Sequence, residues 1–382
     1  MNLLLKSGEK YLMKNKFEII HVIGSPCGGG AELLVRKLTK LTNEQGIKCK
    51  AVYFNYWAEC TKKINFSNNE QSLNIGYRNP FSIIKLRKIF KTELISCSSL
   101  IVHAHLTWSM FFVSLACIGL PVKLVFTEHS TEHSTINSFR NFFIFKHIEK
   151  IFYNRYHSII AITEGVKEGL LDWLGSGLSN KIFIIINGAR FFSYKERKAL
   201  SKCIKFISVG SLISKKGFDR AIVALSQLED IDWQYEIVGE GSSRHDLQQL
   251  IISFNLQDKV TLSGWSSDLE EKYHSADIQL MPSRLEGFGL VAIEGMSTGL
   301  PVIASDLKGI NEVVSSSVDS CFLVKNPSNN LEWVNKIKLC INTLKKDLTH
   351  ISKESYQHSQ KFSLEKMTKN YIDLYKQVLK NE

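Results

Sequence analysis

The sequence predicts an α/β protein built of two doubly wound parallel sheets. Three observations carry this: short apolar runs alternate with longer amphipathic stretches, the alternation breaks once near the middle, and the 382 residues suit two domains of about 150–200 residues rather than one. Runs apolar throughout, rather than at every second residue, mark strands covered on both faces. Helices crossing over both sides of a parallel sheet provide that cover.

In the first half the runs are Glu18–Ile23, Lys50–Phe54, Leu100–Ala104, Lys123–Thr127, Ser158–Ile162 and Ile182–Ile186, most of them separated by helix-length segments. The rhythm stops at Asn187-Gly188-Ala189-Arg190 and the charged stretch Tyr194–Lys205, which reads as a linker between domains over 1–190 and 191–362. A second series follows: Lys205–Val209, Trp233–Val238, Val260–Leu262, Asp277–Met281, Pro301–Ala304 and Cys321–Val324. Helical patterns near 330–345 and 363–380 close the chain, and the last, over 363–382, could pack back on the first domain. Neither a solenoid-length repeat nor a low-complexity tract interrupts the pattern.

Apolar residues at 44% and charged residues at 22% exclude wholesale disorder. The net charge of +11 is unevenly placed: residues 1–190 hold 24 Lys+Arg against 13 Asp+Glu, and the second half holds 24 of each. A basic first half fits an anionic partner, nucleic acid or an acidic membrane surface, and equally a solvated basic face. Eight cysteines (27, 49, 60, 97, 117, 203, 321 and 340) form no C-x-x-C pair, so they read as reduced thiols of a cytoplasmic protein. Leu3-Leu4-Leu5 before Lys6 is too short for a secretory signal, and there is no apolar window of about 18 residues to span a membrane.

Doubly wound sheets take ligands at the carboxyl ends of their strands, in the turns that lead into helices. After the first strand comes Gly24-Ser25-Pro26-Cys27-Gly28-Gly29-Gly30-Ala31-Glu32, whose glycines let backbone N–H groups approach a phosphate. It lacks the Gly-Lys-Ser/Thr of a Walker loop and the spacing of a dinucleotide fingerprint, so a plain tight turn fits as well. Gly239-Glu240-Gly241 is weaker, with Arg244 where a dinucleotide loop needs glycine. Pro282-Ser283-Arg284-Leu285-Glu286-Gly287-Phe288-Gly289-Leu290-Val291-Ala292-Ile293-Glu294-Gly295 is richer. A helix starting near Leu290 offers free N–H groups and a positive dipole end to a diphosphate. Glu294, one turn in, can accept from a ribose diol, and Glu286 lies where the group beyond the phosphates would sit. Two carboxylates with backbone donors between them describe a nucleotide-sugar site.

This motif, continued through Met296-Ser297-Thr298-Gly299-Leu300-Pro301, resembles the signature of the retaining glycosyltransferases of family 4. The resemblance implies the GT-B fold, two Rossmann-like domains facing each other across a cleft. It extends to Ser214-Lys215-Lys216-Gly217, similar to a K-G turn whose lysine contacts the donor diphosphate, here Lys216. Gly28-Gly29-Gly30-Ala31-Glu32 resembles the glycine loop facing the donor phosphate, Thr127-Glu128-His129 the histidine at the reaction centre, and Ile186-Asn187-Gly188 the approach to the interdomain linker. The catalytic set implied is His129, Glu286 and Lys216. The donor set is Gly29, Gly30, Ser211, Lys216, Glu286, Phe288, Gly289, Leu290 and Glu294. Glu32 and His105 fall on the acceptor side, although a glutamate at a helix start is equally ordinary. His103 and His105, which flank a strand end beside the cleft, read more readily as core histidines than as catalytic ones. Ser211 departs from the family pattern, which has Arg there, so either Lys215 or Arg284 compensates or donor binding is weaker.

The resemblance implies a hexosyltransferase-type enzyme attacking the anomeric carbon from the side the nucleotide leaves. Electrostatic stabilisation of the diphosphate then requires no metal and no cofactor beyond the UDP- or GDP-linked donor. Asp230-Ile231-Asp232 imitates a metal-binding D-x-D but precedes a strand, away from the ligand edge. His129-Ser130-Thr131-Glu132-His133 fits the H-x-x-E-H zinc pattern, yet follows a strand end rather than lying on a helix. A nucleotide-sugar epimerase of the same fold and a non-catalytic carbohydrate- or lipid-binding module are the rival classes.

Two basic stretches stand out, Lys85–Lys91 and Phe139–Tyr156. On a helical wheel the second places Arg140, Lys146, His147, Lys150 and Arg155 opposite Phe142, Phe145, Ile148, Phe152 and Tyr156. This suits an anionic bilayer, and a core helix with a wet basic face nearly as well. With no nucleic-acid recognition module present, the expectation is a cytoplasmic enzyme, peripheral on the inner face of the membrane. It would build lipopolysaccharide or another surface polysaccharide on a glycan or lipid-linked glycan acceptor.

Overall fold

The structure, a computed structural model, describes residues 17–26, 29–55, 66–76, 79–129 and 139–380, with the stretch 139–145 by its backbone alone. The first half runs β1 (Glu18–Ile23), α1 (Gly30–Glu44), β2 (Cys49–Tyr53), β3 (Glu70–Ser72), α2 (Phe81–Ser96), β4 (Leu100–His105), α3 (Thr107–Ala116), β5 (Val122–Glu128), α4 (Phe139–Asn154), β6 (Ser158–Ala161), α5 (Glu164–Leu174) and β7 (Ile182–Ile184). These strands make one parallel sheet in the order β3-β2-β1-β4-β5-β6-β7. The second half runs β8 (Ile204–Val209), α6 (Phe218–Leu225), β9 (Trp233–Val238), α7 (Arg244–Ser253), β10 (Val260–Gly264), α8 (Leu269–Ser275), β11 (Ile278–Met281), α9 (Leu290–Ser297), β12 (Val302–Ser305), β13 (Cys321–Val324), α10 (Asn330–Ser359) and α11 (Leu364–Lys380). Its parallel sheet has the order β10-β9-β8-β11-β12-β13. Two doubly wound sheets are therefore present, as the apolar runs predict.

Strand order reverses beside β1 in the first sheet and beside β8 in the second. At those switch points the carboxyl ends of neighbouring strands diverge and open a crevice. The glycine loop follows β1, the Ser211–Gly217 turn follows β8, and the two-glutamate loop follows β11. All three face the crevice because every strand in each sheet runs the same way.

Three features differ from the sequence expectation. β3 is an edge strand of the polar residues Glu70-Gln71-Ser72, invisible to an apolar pattern. It is held by Arg36, whose Nε and Nη2 donate to Glu70 at 2.6 and 3.0 Å, and by the Tyr53 hydroxyl at 2.7 Å. α10 extends to Ser359, well past the pattern near 330–345, with a break at Asp347 (φ −154°, ψ 76°). There the Asp347 carboxylate accepts from the His350 N–H at 2.9 Å and caps a second helical stretch. β4 carries both His103 and His105 inside the strand rather than at its flanks.

α11 lies on the first domain. Its Met367, Tyr371, Leu374, Tyr375 and Val378 join Ile19, Leu38, Ile101 and Ile160 in one apolar cluster. Each such aliphatic side chain favours the docked position by about 1.5–3 kcal/mol. The crossing back is tight: the Ala189 N–H donates to the Phe362 carbonyl at 3.0 Å. A larger cluster runs through both domains, joining Ile162 and Val166 to Phe288 and Ile310. The Gly165 N–H, donating to Glu312 Oε1 at 3.0 Å, adds a polar tie between them. The six described cysteines are free thiols, while Cys27 and Cys60 lie outside the described residues.

Candidate active site

Between the two sheets lies a cavity of about 350 Å3. The first domain contributes Gly29, Gly30, Ala31, His129, Ile162 and Asn187; the second contributes Gly210, Ser211, Lys216 and the run from Glu286 to Val291. A cavity lined by Lys205, Gln234 and Lys259 sits at the amino ends of the strands, opposite the edge where doubly wound sheets take ligands.

The second-domain wall is built by two turns that touch. Gly217 has φ 65°, and a Cβ there would lie 2.1 Å from the Pro282 carbonyl oxygen, so only glycine lets the K-G turn close on the strand end. The backbone N–H of Arg284 donates to the Lys215 carbonyl at 2.7 Å and locks the turns together. Lys216 Nζ then reaches Glu286 Oε2 at 2.5 Å. Gly289 (φ 92°) caps α9, and its left-handed backbone aims the first turn of the helix at the cavity. Behind it, buried Gln279 donates to the Val291 carbonyl at 2.8 Å and fixes the helix on β11. The two domains meet at the cavity edge: a Cβ on Gly30 would come 2.9 Å from Leu290 Cδ1.

His129, immediately after β5, forms the opposite wall. Its backbone N–H donates to Glu128 Oε1 at 3.0 Å, while Glu128 Oε2 accepts from the Tyr153 hydroxyl at 3.1 Å. Burial lowers the His129 pKa to about 4, so the imidazole is neutral at physiological pH. Glu32, in the first turn of α1, is raised by burial, against hydrogen bonds from its own N–H and that of Gly29. Asn187 also lines the cavity, and its buried Oδ1 has no partner among the described residues.

Several residues stand elsewhere than expected. His105 lies in the core: it is 1% exposed, beneath His129, because its position on β4 points it into the covered sheet. Arg284 is engaged away from Ser211, where Asp219 accepts from it through two hydrogen bonds of 2.7 and 2.6 Å. Glu294 sits one turn deeper than the cavity lining and faces Lys37 of α1 and Arg190. Burial pushes its pKa up to about 7, with Lys37 and then Arg190 opposing. Neither cation is visible to motif reading, because the domains must close before either meets Glu294. Ser130–His133 of the H-x-x-E-H pattern lie outside the described residues. Asp230 and Asp232 precede β9, at the edge away from the cavity.

The basic helix divides its apolar stripe. Tyr156 is buried and Phe152 half-buried, whereas Ile148 stays exposed beside Ile151 (63% exposed), Lys150 and Arg155. The side chains of Arg140, Phe142 and Phe145 lie outside the described residues. Packed beside α4 through α3, α2 exposes Phe81, Ile84, Lys85, Lys88 and Lys91. No described helix is long and apolar enough to cross a membrane.

Comparison with known proteins agrees with the geometry. The family described as glycosyl transferases group 1 matches residues 191–358, and glycosyltransferase family 4 matches residues 28–190. An uncharacterized glycosyltransferase of Methanocaldococcus jannaschii is 26% identical over 364 residues, covering 92% of this chain and 96% of its own. An O-antigen biosynthesis glycosyltransferase of Escherichia coli is 30% identical over 169 residues, 44% of this chain and 45% of its own. Among solved structures, Anabaena HepE in complex with UDP superposes with a TM-score of 0.79 at 20% identity, over 94% of this chain and all of that one.

Proposed function

The chain belongs to glycosyltransferase family 4 and has the GT-B fold, and from that premise we propose that it transfers a sugar from a nucleoside-diphosphate donor to a lipid-linked glycan, with retention at the anomeric carbon. The observation that carries the reading is the Lys216–Glu286 pair at the capped start of α9, facing His129 across one cavity. Lysine offers three N–H donors. One serves Glu286, and two remain for diphosphate oxygens without breaking the pair. The free N–H groups of the first turn of α9 add further donors and the positive end of the helix dipole. Gly30 lets the opposing loop approach from the first domain.

In this reading the bond between the anomeric carbon and the diphosphate breaks, and its electron pair goes to the departing oxygen. Lys216 and the α9 amides stabilise that charge as it develops. The acceptor hydroxyl attacks from the same face and gives its proton to the diphosphate. Glu286 accepts from hydroxyls of the sugar, His129 contacts it from the other side, and Glu294 accepts from the ribose. Uridine is the base to test first, because HepE of the same fold holds UDP. The likeness to an O-antigen enzyme supports surface polysaccharide as the product class.

The exposed Ile84, Ile148 and Ile151 among Lys85, Lys88 and Lys150 suit an acidic lipid surface, the place of a lipid-linked acceptor. The enzyme then works at the cytoplasmic face of the membrane. Thermal melts against a panel of UDP-, GDP- and ADP-sugars test the donor assignment. One nucleotide class should raise the melting temperature of the wild type and lose that effect in Lys216→Ala. Stabilisation by none, or equal stabilisation of the variant, refutes it.

A further inference from the structure

Behind His129 the first domain buries three more histidines. His21 on β1 and His103 on β4 are direct register partners, and His105 follows on the same face of β4. All three are at most 1% exposed. His21 Nδ1 lies 2.9 Å from His105 Nε2, and His105 Nδ1 lies 3.1 Å from His129 Nε2. An unbroken chain of imidazoles thus leads from the core to the cavity wall. His103 stacks on His105 with centroids 4.1 Å apart and planes 29° apart. It is itself locked by the Tyr375 hydroxyl and Thr127 Oγ1, each at 2.7 Å. The ring of His105 therefore has one orientation.

Proton counting fixes the direction of this chain. With no carboxylate among the described residues hydrogen-bonded to these rings and every ring desolvated, each imidazole is neutral and carries one N–H. Three rings joined by two hydrogen bonds use two of the three N–H groups. The third must sit at an end: on His21 Nε2, buried with no partner among the described residues, or on His129 Nδ1. A buried N–H without an acceptor is the rarer and costlier orphan. At the cavity end, a bare nitrogen would turn its lone pair toward the anionic donor, whereas an N–H would donate to it. Both ends favour the same direction. His21 Nδ1–H donates to His105, and His105 Nδ1–H donates to His129 Nε2.

We propose that His105, backed by His21, is a positioning residue that holds His129 as its Nδ1–H tautomer and presents a hydrogen-bond donor to the cavity. Water favours the other tautomer, so the fold makes a choice that an isolated histidine does not. The value of that donor for catalysis rests on the nucleotide-sugar reading above, as does the argument from the cavity end; the buried His21 end carries the tautomer without it. A metal held by the same rings is the competing use, since nitrogens of His21, His103 and His105 lie within 4.8 Å of one another. Yet both nitrogens of His103 and both of His105 already make hydrogen bonds, which a metal would have to break.

The test is a long-range 1H–15N spectrum of the full chain labelled at its 11 histidines, with His129 assigned by the signals lost in His129→Asn. The expected result is a protonated Nδ1 and a bare Nε2 at His129 in the wild type. His105→Asn keeps a donor at the Nδ1 position and should preserve that pattern. His105→Leu removes it and should return His129 toward the tautomer of free histidine. With the donor identified, kcat falls about tenfold in His105→Leu with little change in KM, and His105→Asn recovers most of it. A purely packing role would lower both variants alike and would overturn the proposal. So would Nε2–H at His129 in the wild type, or stoichiometric zinc that His103→Ala abolishes. The wild-type spectrum decides even if His105→Leu does not fold. Nδ1–H in a protein that cleaves no sugar nucleotide would leave the tautomer standing and remove the transferase reading instead.

Discussion

Replacing Glu294 with Gln separates what this carboxylate costs the fold from what it gives the ligand. Its ordinary pKa of 4.5 is raised to about 7 in the folded protein, chiefly by burial, with Lys37 and then Arg190 opposing. Below the unfolded value the carboxyl is protonated in both states and contributes no difference. Between the two values the unfolded chain has released a proton that the folded chain still holds, so stability falls as pH rises. Above the folded value the loss is complete. Each pH unit separating the two values costs ~1.36 kcal/mol, which sets a ceiling of about 3 kcal/mol. Partial access to water brings this nearer to about 2 kcal/mol. Glu294→Gln should therefore stabilise the unliganded protein at pH 8, raising the melting temperature by roughly 4–8 °C, and by almost nothing at pH 4.5. The same change removes a charged acceptor for the ribose and should weaken donor binding about tenfold. Melts across this pH range and a donor titration at pH 8 read both effects. A gain of equal size at pH 4.5 and pH 8, or a variant less stable than the wild type at pH 8, refutes the argument.

Other perturbations follow from the same geometry. Lys216→Ala should slow release of diphosphate from the donor about 100-fold, the scale of one charged contact made in the transition state. Its stability should change by less than about 1 kcal/mol, because the Glu286 pair is partly exposed; steady-state rates and urea melts check the two parts. Gly217→Ala places a Cβ against the Pro282 carbonyl at a positive φ and should destabilise the second domain by at least about 1–2 kcal/mol. It should weaken the donor too, as urea melts and titration would show. At low salt the protein should sediment with vesicles rich in anionic lipid and come off as salt is raised. Ile84→Glu and Ile151→Glu should weaken that binding and leave donor hydrolysis alone. Sedimentation that ignores salt, or is absent on anionic lipid, refutes the membrane assignment.

The two sheets were legible because their interior strands are short runs dominated by apolar residues, the pattern of a parallel sheet covered on both faces. β3 was not, since Glu70-Gln71-Ser72 is held at the edge by Arg36 and Tyr53 rather than by burial. The cavity's second-domain wall could be read from local chemistry: glycines that must turn, a helix start, and a lysine and glutamates at fixed spacing. Residues that act across the domains could not. Lys37 and Arg190 meet Glu294 only when α1 and α9 face each other, and no local pattern marks them. The histidine chain depends on β1 pairing with β4, which sets His21 beside His103. His105 was visible as a histidine near the cleft, but its burial and its hydrogen bond to His129 follow from β4 lying between β1 and β5. Arg284 looked available in the sequence because its partner Asp219 lies on a different element, α6.

The central claim is that Lys216 and Glu286, facing His129 across the cavity, act on the donor's anomeric centre and diphosphate. Release of nucleoside diphosphate from a panel of sugar nucleotides, measured for the wild type, Lys216→Ala and Glu286→Ala side by side, tests it most directly. The account predicts that the wild type cleaves one nucleotide class and that both variants, still folded, lose about 100-fold or more of that rate. Cleavage that survives both substitutions unchanged, or a wild type that cleaves none of the panel with acceptor lipid extract present, contradicts it.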